Sequence, residues 1–373
     1  MFDWLIVGAG LTGITFAERV ANCFGKKVLI VEKRNHIGGN AYDSYDSNGV
    51  LIHHYGPHIF HTKSKKIWDY ISKFTDWNFY QHEVLASVDN KLLPLPFNLN
   101  SLRTSFSNED ASRIEYLLLD GYKLNSNISV LSTLLTSSNK DFQYLGKFIY
   151  DKIIYGYTKK QWGVTPDCLD REIFNRIPMR VSWDNRYFQD PYQGVPKYGY
   201  TQMFKNMLRN KNIEVILNTD YRRIFNEIQF DRVLYTGPID NFFDYTHGEL
   251  PYRSLKFDFA FYPCDFYQRT AQVNYPNDYD FTRISEFKYM TQQKIDGTTI
   301  VQEFPQPYIR DKNEPLYPIL NKASRYQHAL YLKEARKVSK TILFSGRLAD
   351  YRYYNMDHAV ARVLKLFKDK VLT

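Results

Sequence analysis

The chain is poor in cysteine, with only Cys23, Cys168 and Cys264 among its 373 residues. Their odd number and wide separation exclude a disulfide scaffold, a CxxC pair and a cysteine-rich metal site. So few cysteines favour a reducing compartment. No apolar run reaches the ~18 residues that a membrane-spanning helix needs. We therefore expect a cytoplasmic protein that does not enter a membrane.

The sequence also lacks a basic leader and the common signatures of catalysis and nucleic-acid binding. Asp3 interrupts the first apolar run, so we predict no signal peptide. There is no GxSxG elbow, HExxH helix or kinase signature. No zinc-finger, basic-zipper or RNA-recognition pattern appears, so we expect no nucleic-acid partner. Four histidines cluster in residues 51–62, but their spacing is not that of zinc ligands, and we predict no metal.

Positive charge and aromatic rings are abundant. Lysine plus arginine number 49 and aspartate plus glutamate 40, a net charge of +9, and aromatic residues make up 17% of the chain. The excess of positive charge favours an anionic partner, namely a phosphate, a nucleotide, a nucleic acid or a membrane surface. No long basic block is present. The alternative is that the charge serves solubility alone. Tyrosine, the commonest aromatic residue here, suits cores, interfaces and ligand clefts alike.

The first forty residues carry the most specific pattern. An apolar run at 2–7 predicts a buried strand, residues 11–24 have helical spacing, and residues 27–31 predict a second strand that ends at Glu32. Between strand and helix stands G-A-G-L-T-G. The glycines of this turn are Gly8, Gly10 and Gly13. This order, within about 30 residues and followed by an acid, is typical of a dinucleotide-binding βαβ unit. A structural βαβ unit without a nucleotide is the alternative.

Each part of this unit has a physical reason. Gly8 permits the tight turn, Gly10 allows the backbone to approach a pyrophosphate, and Gly13 allows the helix to pack on the strand. The helix N-terminus supplies N–H groups for the phosphates. Glu32 can accept hydrogen bonds from ribose hydroxyls. A second glycine turn, Gly38-Gly39 in EKRNHIGGNAY, resembles the extended motif of glutathione-reductase-type FAD proteins. That resemblance favours FAD, whereas spacing alone allows NAD.

We predict an α/β fold in which a discontinuous Rossmann-type FAD-binding domain carries a helical insertion and an antiparallel β-sheet domain. Residues 212–217, 231–236 and 341–345 predict further buried strands, and 356–368 a final helix. The predicted FAD domain comprises 1–84, 195–242 and 316–373. The helical insertion, with the start of a mobile loop, comprises 101–172. The sheet or substrate domain comprises 85–100, 173–194 and 243–315.

Local patterns support the two inserted regions. Ser107 is a candidate N-cap, and residues 142–153 carry one apolar helical stripe at Phe142, Leu145, Ile149 and Ile153. In 257–261, three phenylalanines alternate with Asp258 and Ala260, which predicts a strand with one buried face.

Arginine and tyrosine recur together in several short segments. They are IIYGYTKKQWG at 153–163, RIPMRVSWDNRYF at 176–188, TRISE at 282–286, EPLYP at 314–318 and GRLADYRYYNMD at 346–357. Guanidinium groups bind phosphate oxygens in forked pairs, and phenols donate hydrogen bonds to them. A flat ring can stack on a base. This mixture favours a nucleoside diphosphate ligand, although core packing explains many individual tyrosines.

Taken together, these motifs resemble those of the bacterial UDP-galactopyranose mutase family. EKRNHIGGNAY, YGPHIFHT, GYTKKQWG, RIPMR with DNRYF, YTGPID, YRSLKF and GRLADYRYYNM occur in the family's order along the chain. The resemblance implies non-covalently bound FAD, active when reduced, and interconversion of UDP-galactopyranose and UDP-galactofuranose without net redox change. It implies a covalent flavin N5–sugar adduct, a cytoplasmic homodimer and a place in cell-surface polysaccharide synthesis.

The resemblance also implies roles for individual residues. Arg176, on the mobile loop, and Arg283 are the catalytic pair that neutralises the diphosphate. The residues implied in substrate binding are Tyr157, Thr158, Trp162, Tyr187, Asn274, Tyr317, Tyr353 and His82. The residues implied in cofactor binding are Gly8, Gly10, Thr12, Gly13, Glu32, Lys33, Gly39, Asn40, His58, Ile59, His61, Arg347, Met356 and Asp357. Tyr157 is expected to stack on uracil, and His61 to lie near the flavin.

Three alternatives stay open. The first is the same chemistry on UDP-N-acetylgalactosamine, which differs only at the sugar 2-position. The second is an oxidase of the amine-oxidase type, which shares the dinucleotide fingerprint but uses no UDP-sugar. The third is a nucleotide-binding protein without catalytic activity.

Overall fold

The computed structural model describes residues 1–170 and 178–371. The chain divides into two units. The first unit consists of Met1–Tyr80, Asp190–Tyr252 and Pro315–Thr373, and the second of Gln81–Gln189 and Arg253–Glu314. The predicted three-part domain division remains a prediction. Among the described residues, no helix has the length and apolarity needed to cross a lipid bilayer.

The β-strands of the described chain follow one another in this order. They are β1 (Phe2–Val7), β2 (Val28–Val31), β3 (Asp43–Tyr45), β4 (Leu51–His53), β5 (Phe60–Thr62), β6 (Trp77–Asn78), β7 (Val84–Val88), β8 (Lys91–Leu95), β9 (Asn127–Ile128), β10 (Met179–Arg180), β11 (Tyr192–Pro196), β12 (Ile213–Ile216), β13 (Phe230–Tyr235), β14 (Tyr252–Tyr262), β15 (Gln272–Asn274), β16 (Arg283–Glu286), β17 (Thr298–Pro307), β18 (Tyr317–Pro318) and β19 (Ile342–Phe344).

The helices vary in length from one turn to four. The α-helices are α1 (Leu11–Phe24), α2 (Lys65–Ile71), α3 (Leu99–Ser105), α4 (Asn108–Gly121), α5 (Lys140–Ile149), α6 (Gly156–Trp162), α7 (Tyr200–Met207), α8 (Tyr221–Ile224), α9 (Ile239–Phe242), α10 (Phe287–Thr291), α11 (Lys322–Lys337) and α12 (Met356–Lys370). Short 3₁₀ segments lie at Gly39–Ala41 and Pro166–Cys168, and π-helical turns at Val130–Leu134 and Tyr150–Tyr155.

A five-stranded parallel sheet in the order β12-β2-β1-β13-β19 forms the centre of the first unit. Strand β1 is almost continuously apolar because the side chains on both of its faces are buried. Trp4 and Ile6 pack with Phe16 of α1 and with α12. Leu5 and Val7 face the other way and pack in a cluster around Tyr235. Helix α1 and strands β1, β2, β13 and β19 therefore confirm the predicted Rossmann-type core.

One predicted buried strand is an edge strand. Strand β12 pairs only with β2 in the described chain, and its residues alternate between half-buried and exposed. The apolar sequence NIEVIL suggested full burial, but Glu214 and Ile216 share one face of this strand and are exposed there. The prediction of a strand is confirmed, and the prediction of its burial is wrong.

A mixed sheet organises the second unit, with neighbouring strands in the order β14-β17-β16-β15-β7-β8. All adjacent pairs are antiparallel except β15 and β7, which run parallel. These two strands are almost 190 residues apart in sequence, so no hairpin turn forces them to be antiparallel. The pairing places Asn274 of β15 directly opposite Arg283 of β16.

The helical region of the second unit agrees with its local sequence signals. Ser107 caps α4 by accepting a hydrogen bond from the Asp110 amide. Leu145, Ile149 and Ile153 of the predicted apolar stripe are buried, whereas Phe142 is half-buried. Helix α5 continues through the π-helical turn into α6.

The predicted buried face of residues 257–261 is wrong. Phe259 and Phe261 lie on β14 but are 37% and 39% exposed. Alternation correctly predicted the strand and the shared side of the phenylalanines. It could not predict whether another element covers that side.

Candidate functional site

In the first unit, two glycine turns lie against each other. Gly10 forms an isolated bridge with Gly38, and the Gly38 amide donates to the Ala9 carbonyl at 2.8 Å. Gly8 has φ of +104°, and a Cβ there would lie 2.2 Å from Thr236 Oγ1. A Cβ on Gly13 would lie 2.1 Å from the Gly8 carbonyl oxygen. Only glycine fits at these two positions, as the dinucleotide fingerprint requires.

The N-terminus of α1 fits a pyrophosphate. Its N-cap is Gly10, with no side-chain cap and no acidic residue in the first turn. The first amides of a helix have no partner within the helix, and they attract anions together with the helix dipole. Gly39, with φ of +57°, brings the second turn close, since its Cβ would lie 3.0 Å from the Gly10 Cα. The backbone here forms a cradle suited to phosphate.

Glu32 is 6% exposed at the end of β2, and both its carboxylate oxygens are used. One accepts from the Ala9 amide at 2.8 Å and the other from the Arg34 amide at 2.9 Å. The carboxylate therefore holds the first glycine turn while its remaining lone pairs are available for a ribose hydroxyl. Arg34 also donates to Asn40 Oδ1 at 3.1 Å, which places Asn40 beside Glu32. Lys33 is exposed.

The loop after β19 approaches the same turns. A Cβ on Gly346 would lie 3.5 Å from Thr12 Oγ1, and Thr12 is buried in the first turn of α1. The Arg347 guanidinium donates to the Tyr354 carbonyl at 3.1 Å. Its carbon lies 5.8 Å from the Tyr317 ring centroid and 5.7 Å from that of Tyr353. The structure thus brings three predicted site residues into one group, because the two rings are 5.5 Å apart.

The predicted histidines lie on and before β5. The His58 amide donates to His53 Nδ1 at 3.0 Å, and its ring contacts the Gly56 carbonyl. Ile59 is buried. His61 Nδ1 lies 2.5 Å from Asp190 Oδ2, a carboxylate that fixes the ring's orientation. Burial lowers the pKa of His53 to about 3, so this ring is neutral at pH 7.

Met356 and Asp357 begin α12. Both are partly buried, and Asp357 Oδ1 accepts from the His358 amide at 2.8 Å. Asn355, the N-cap, makes no side-chain cap. Unlike α1, this helix has an acid in its first turn, and that acid accepts from one of the first backbone amides.

In the second unit, Asn274 of β15 and Arg283 of β16 are paired directly on adjacent strands. Arg283 Nε lies 2.7 Å from Glu303 Oε1, and Glu303 is fully buried on β17. Asn274 Oδ1 accepts from Gln272 Nε2 at 2.9 Å. The guanidinium is thus anchored by a buried carboxylate on the neighbouring strand, in register with it. This ion pair keeps the guanidinium beside a buried negative charge.

Helix α6 carries three predicted substrate-binding residues. Thr158 and Trp162 are buried, and Tyr157 is half-buried. The helix ends at Gly163, which has φ of +69°. Arg253, itself 7% exposed, donates to the Gln161 and Lys160 carbonyls at 3.0 and 3.2 Å. These bonds satisfy carbonyls that the helix end leaves without partners.

His82 and Tyr187 also lie together. The Tyr187 amide donates to the His82 carbonyl at 2.7 Å, and their ring centroids are 5.9 Å apart. His82 is 3% exposed and stacks on Phe188. Arg176 lies outside the described residues.

Three charged residues near these groups escaped the sequence analysis, namely Lys160, Arg253 and Glu303. Arg253 and Glu303 lie at 7% and 0% exposure on β14 and β17. Charged groups are buried only with partners, so a charge within a segment predicted to form strands was the signal available for these two. Lys160 offered no such signal, because lysine pairs on helices are usually solvated.

The chain resembles known proteins over almost its full length. The sequence profile of a family described as UDP-galactopyranose mutase matches residues 152–353, and that of an NAD(P)-binding Rossmann-like domain matches residues 6–74. A UDP-galactopyranose mutase of Mycoplasma genitalium is 38% identical across 98% of this chain and 93% of the relative. A dTDP-fucopyranose mutase of Escherichia coli is 32% identical across 97% of this chain and 96% of the relative.

Solved structures support the fold. A crystal structure of reduced UDP-galactopyranose mutase matches with a TM-score of 0.76 and 17% identity, covering all of this chain and 94% of that one. Together with the Rossmann-like match, it confirms the predicted α/β fold class. In the part of the chain that the structure describes, no three His, Cys, Asp or Glu side chains are grouped to hold a metal ion.

Proposed function

The chain belongs to the UDP-galactopyranose mutase family, whose members are isomerases, and we propose that it interconverts UDP-galactopyranose and UDP-galactofuranose without net redox change. One observation carries this proposal. The likeness to a mutase of that name extends over 98% of the chain at 38% identity. We further propose a cytoplasmic homodimer that supplies furanose sugar for a cell-surface polysaccharide.

We propose FAD as the cofactor. The cradle of Gly8, Gly10 and Gly13 would take the pyrophosphate, and Glu32 would accept from the adenosine ribose. Further contacts would come from the remaining members of the predicted cofactor set. They are Thr12, Lys33, Gly39, Asn40, His58, Ile59, His61, Arg347, Met356 and Asp357. When bound and reduced, FAD supplies covalent catalysis through its nucleophilic nitrogen N5, which explains why no catalytic nucleophile is recognisable in the sequence.

Arg283 would act where charge develops. When the bond between the anomeric carbon and the diphosphate breaks, negative charge increases on the phosphate oxygens. A guanidinium already held in place by Glu303 stabilises that charge without first having to reorganise. Arg176, which lies outside the described residues, would neutralise the same diphosphate.

The aromatic residues would position the substrate. Tyr157 would stack on uracil, with Thr158 nearby, and Trp162 would pack near the sugar. Tyr187, Tyr317 and Tyr353 would donate hydrogen bonds to the phosphates. His82 and Asn274 would line the sugar. Holding the departing group close favours its return to the rearranged ring.

A second candidate is the same ring contraction on dTDP-fucopyranose. The 32% identity to a dTDP-fucopyranose mutase over 97% of this chain favours it. The same experiment also tests UDP-N-acetylgalactosamine and the oxidase reaction.

The experiment incubates the purified protein with UDP-galactofuranose, with and without dithionite, and separates the products by chromatography. Conversion to UDP-galactopyranose only under reduction is the expected result. Parallel reactions contain dTDP-fucofuranose or the N-acetylated sugar, and oxygen uptake is monitored in a reaction without nucleotide. Fully reduced, flavin-bound protein that leaves UDP-galactofuranose unchanged would reject UDP-galactose as the substrate.

A further inference from the structure

The loop between β15 and β16 is held by one lysine. Lys160 Nζ donates to the carbonyls of Tyr275, Tyr279 and Phe281, the last two at 2.8 and 3.2 Å. A lysine ammonium has three N–H donors, so this side chain uses its whole capacity on one loop. The ends of that loop are Asn274 and Arg283.

Two further contacts attach the same loop to the helical segment. Asn277 Nδ2 donates to the Lys152 carbonyl at 3.0 Å. A Cβ on Gly156, the first residue of α6, would lie 2.5 Å from the Pro276 carbonyl oxygen. The loop therefore lies directly against α6, with Lys160 at the centre of the contact.

Lys160 stands three residues after Tyr157, about one turn along α6. Its bonds thus link the helix that carries Tyr157 to the strands that carry Asn274 and Arg283. We propose that Lys160 is a positioning residue that fixes Arg283 and Asn274 relative to Tyr157 through the loop carbonyls. This inference rests on the proposed function and adds a residue that does not itself touch the substrate.

The hydrogen bonds from Lys160 to the loop carbonyls depend on the charge of its amino group. Burial lowers the pKa of Lys160 to about 8, while the carboxylates of Asp278 and Asp280 oppose that shift. The elements packed against α6 also carry Tyr275 and Tyr279 on the loop, Arg253 on β14, Glu303 on β17, and Asp151 and Lys152 on the π-helical turn. Above pH 8 the neutral amine keeps only two donors, and the bonds lose their charge. An arginine at this position would stay charged.

The test compares Lys160→Met and Lys160→Arg with Lys159→Met as the matched control. Lys159 precedes Lys160 on α6 and is exposed. Amide hydrogen exchange of residues 275–281 is measured in each protein, with kcat, KM and UDP affinity. We expect faster loop exchange and a drop in kcat/KM of about 100-fold for Lys160→Met, mostly in kcat, because a displacement of about 1 Å has effects of that size.

The pH profile separates positioning from a general structural role. In the wild type we expect kcat/KM to fall above pH 8, and in Lys160→Arg this alkaline limb should move to higher pH. If Lys160→Met fails to fold, the comparison of wild type with Lys160→Arg decides. Wild-type loop exchange and kcat/KM in Lys160→Met, or an unshifted limb in Lys160→Arg, would overturn the proposal.

Failure of the proposed function gives a different result. If the wild type converts none of the tested sugars, loop exchange and UDP affinity still show whether Lys160 holds the loop. Faster exchange with weaker UDP binding in Lys160→Met, but not in Lys159→Met, would then support the positioning role alone. Unchanged exchange and UDP affinity would overturn it.

Discussion

Glu32 in the first unit and two cations in the second unit make opposite kinds of hydrogen bond to the backbone. In the first unit a carboxylate, Glu32, accepts hydrogen bonds from the backbone amides of Ala9 and Arg34. In the second unit two cations, Lys160 and Arg253, donate to backbone carbonyls. The first arrangement ties neighbouring turns of one βαβ unit. The second ties segments about 90 to 120 residues apart, so the surroundings of the predicted substrate-binding residues depend on contacts between distant parts of the chain.

The largest expected effect is a loss of turnover caused by a change in the second unit alone. Replacing Arg283 with alanine removes the cation expected to stabilise the departing diphosphate, and kcat should fall about 1,000-fold. FAD content should stay normal, because the cradle lies in the first unit. Turnover and flavin absorbance check both expectations.

Arg103→Ala is the matched control for this experiment. Arg103 pairs with Glu115 on the exposed helical surface, 2.6 Å away. Exposed pairs contribute little, so its turnover should equal that of the wild type. Normal turnover in Arg283→Ala would remove Arg283 from the proposed mechanism.

The second prediction concerns a substitution in the first glycine turn of the first unit. In Gly13→Ala, the new Cβ would lie 2.1 Å from the Gly8 carbonyl oxygen, so α1 must move away from β1. We expect loss of bound flavin and about 3 kcal/mol of unfolding free energy. Denaturant titration measures the stability.

The control for the glycine experiment is Gly121→Ala, since a Cβ on Gly121 meets nothing within 4 Å and its φ is not positive. This variant should keep its flavin and its stability. Equal flavin content in the two alanine variants would contradict the need for close approach at Gly13.

The third prediction concerns the hydrogen bonds that the Glu32 carboxylate accepts in the cradle. Glu32→Gln retains one acceptor oxygen, but its amide NH₂ cannot accept from a backbone N–H. FAD affinity should fall about tenfold, as expected for loss of a hydrogen bond to a charged group. Equilibrium dialysis measures the affinity. Glu214→Gln, at an exposed position of the same sheet, is the control and should bind FAD normally. Equal affinity in both variants would contradict a role of the Glu32 carboxylate in FAD binding.

The smallest expected effect concerns acid stability of the first unit. His53 is buried, and burial lowers its pKa from 6.5 to about 3, so the unfolded chain binds a proton more readily than the folded one. Stability from this group is therefore full above pH 6.5 and is lost as the pH falls toward 3. Between pH 7 and 6 the loss is about 0.7 kcal/mol. His53→Gln should show a correspondingly smaller decrease in unfolding free energy over this range, and an identical slope would contradict the assignment.

Prediction from sequence succeeded where the signal is local. The resemblance to the mutase family is confirmed by the full-length relatives, and the predicted strand–turn–helix–strand unit has the predicted bounds within one residue. The residue-by-residue site roles remain predictions. The solvent exposure of Phe259, Phe261 and β12 was predicted wrongly, because apolar alternation reports which side chains share a face and not what covers it.

The sequence by itself determined the cofactor cradle, because its conformation depends on a few glycines whose missing Cβ atoms permit it, and these lie within 32 residues of the chain end. The tertiary structure alone decided the surroundings of Arg283. Glu303 opposes it because β16 and β17 pair in that register, and Lys160 reaches its loop because α6 packs there. Such contacts join residues 20 to 120 positions apart. Their partners are chosen by strand register and helix packing, which no short sequence pattern encodes.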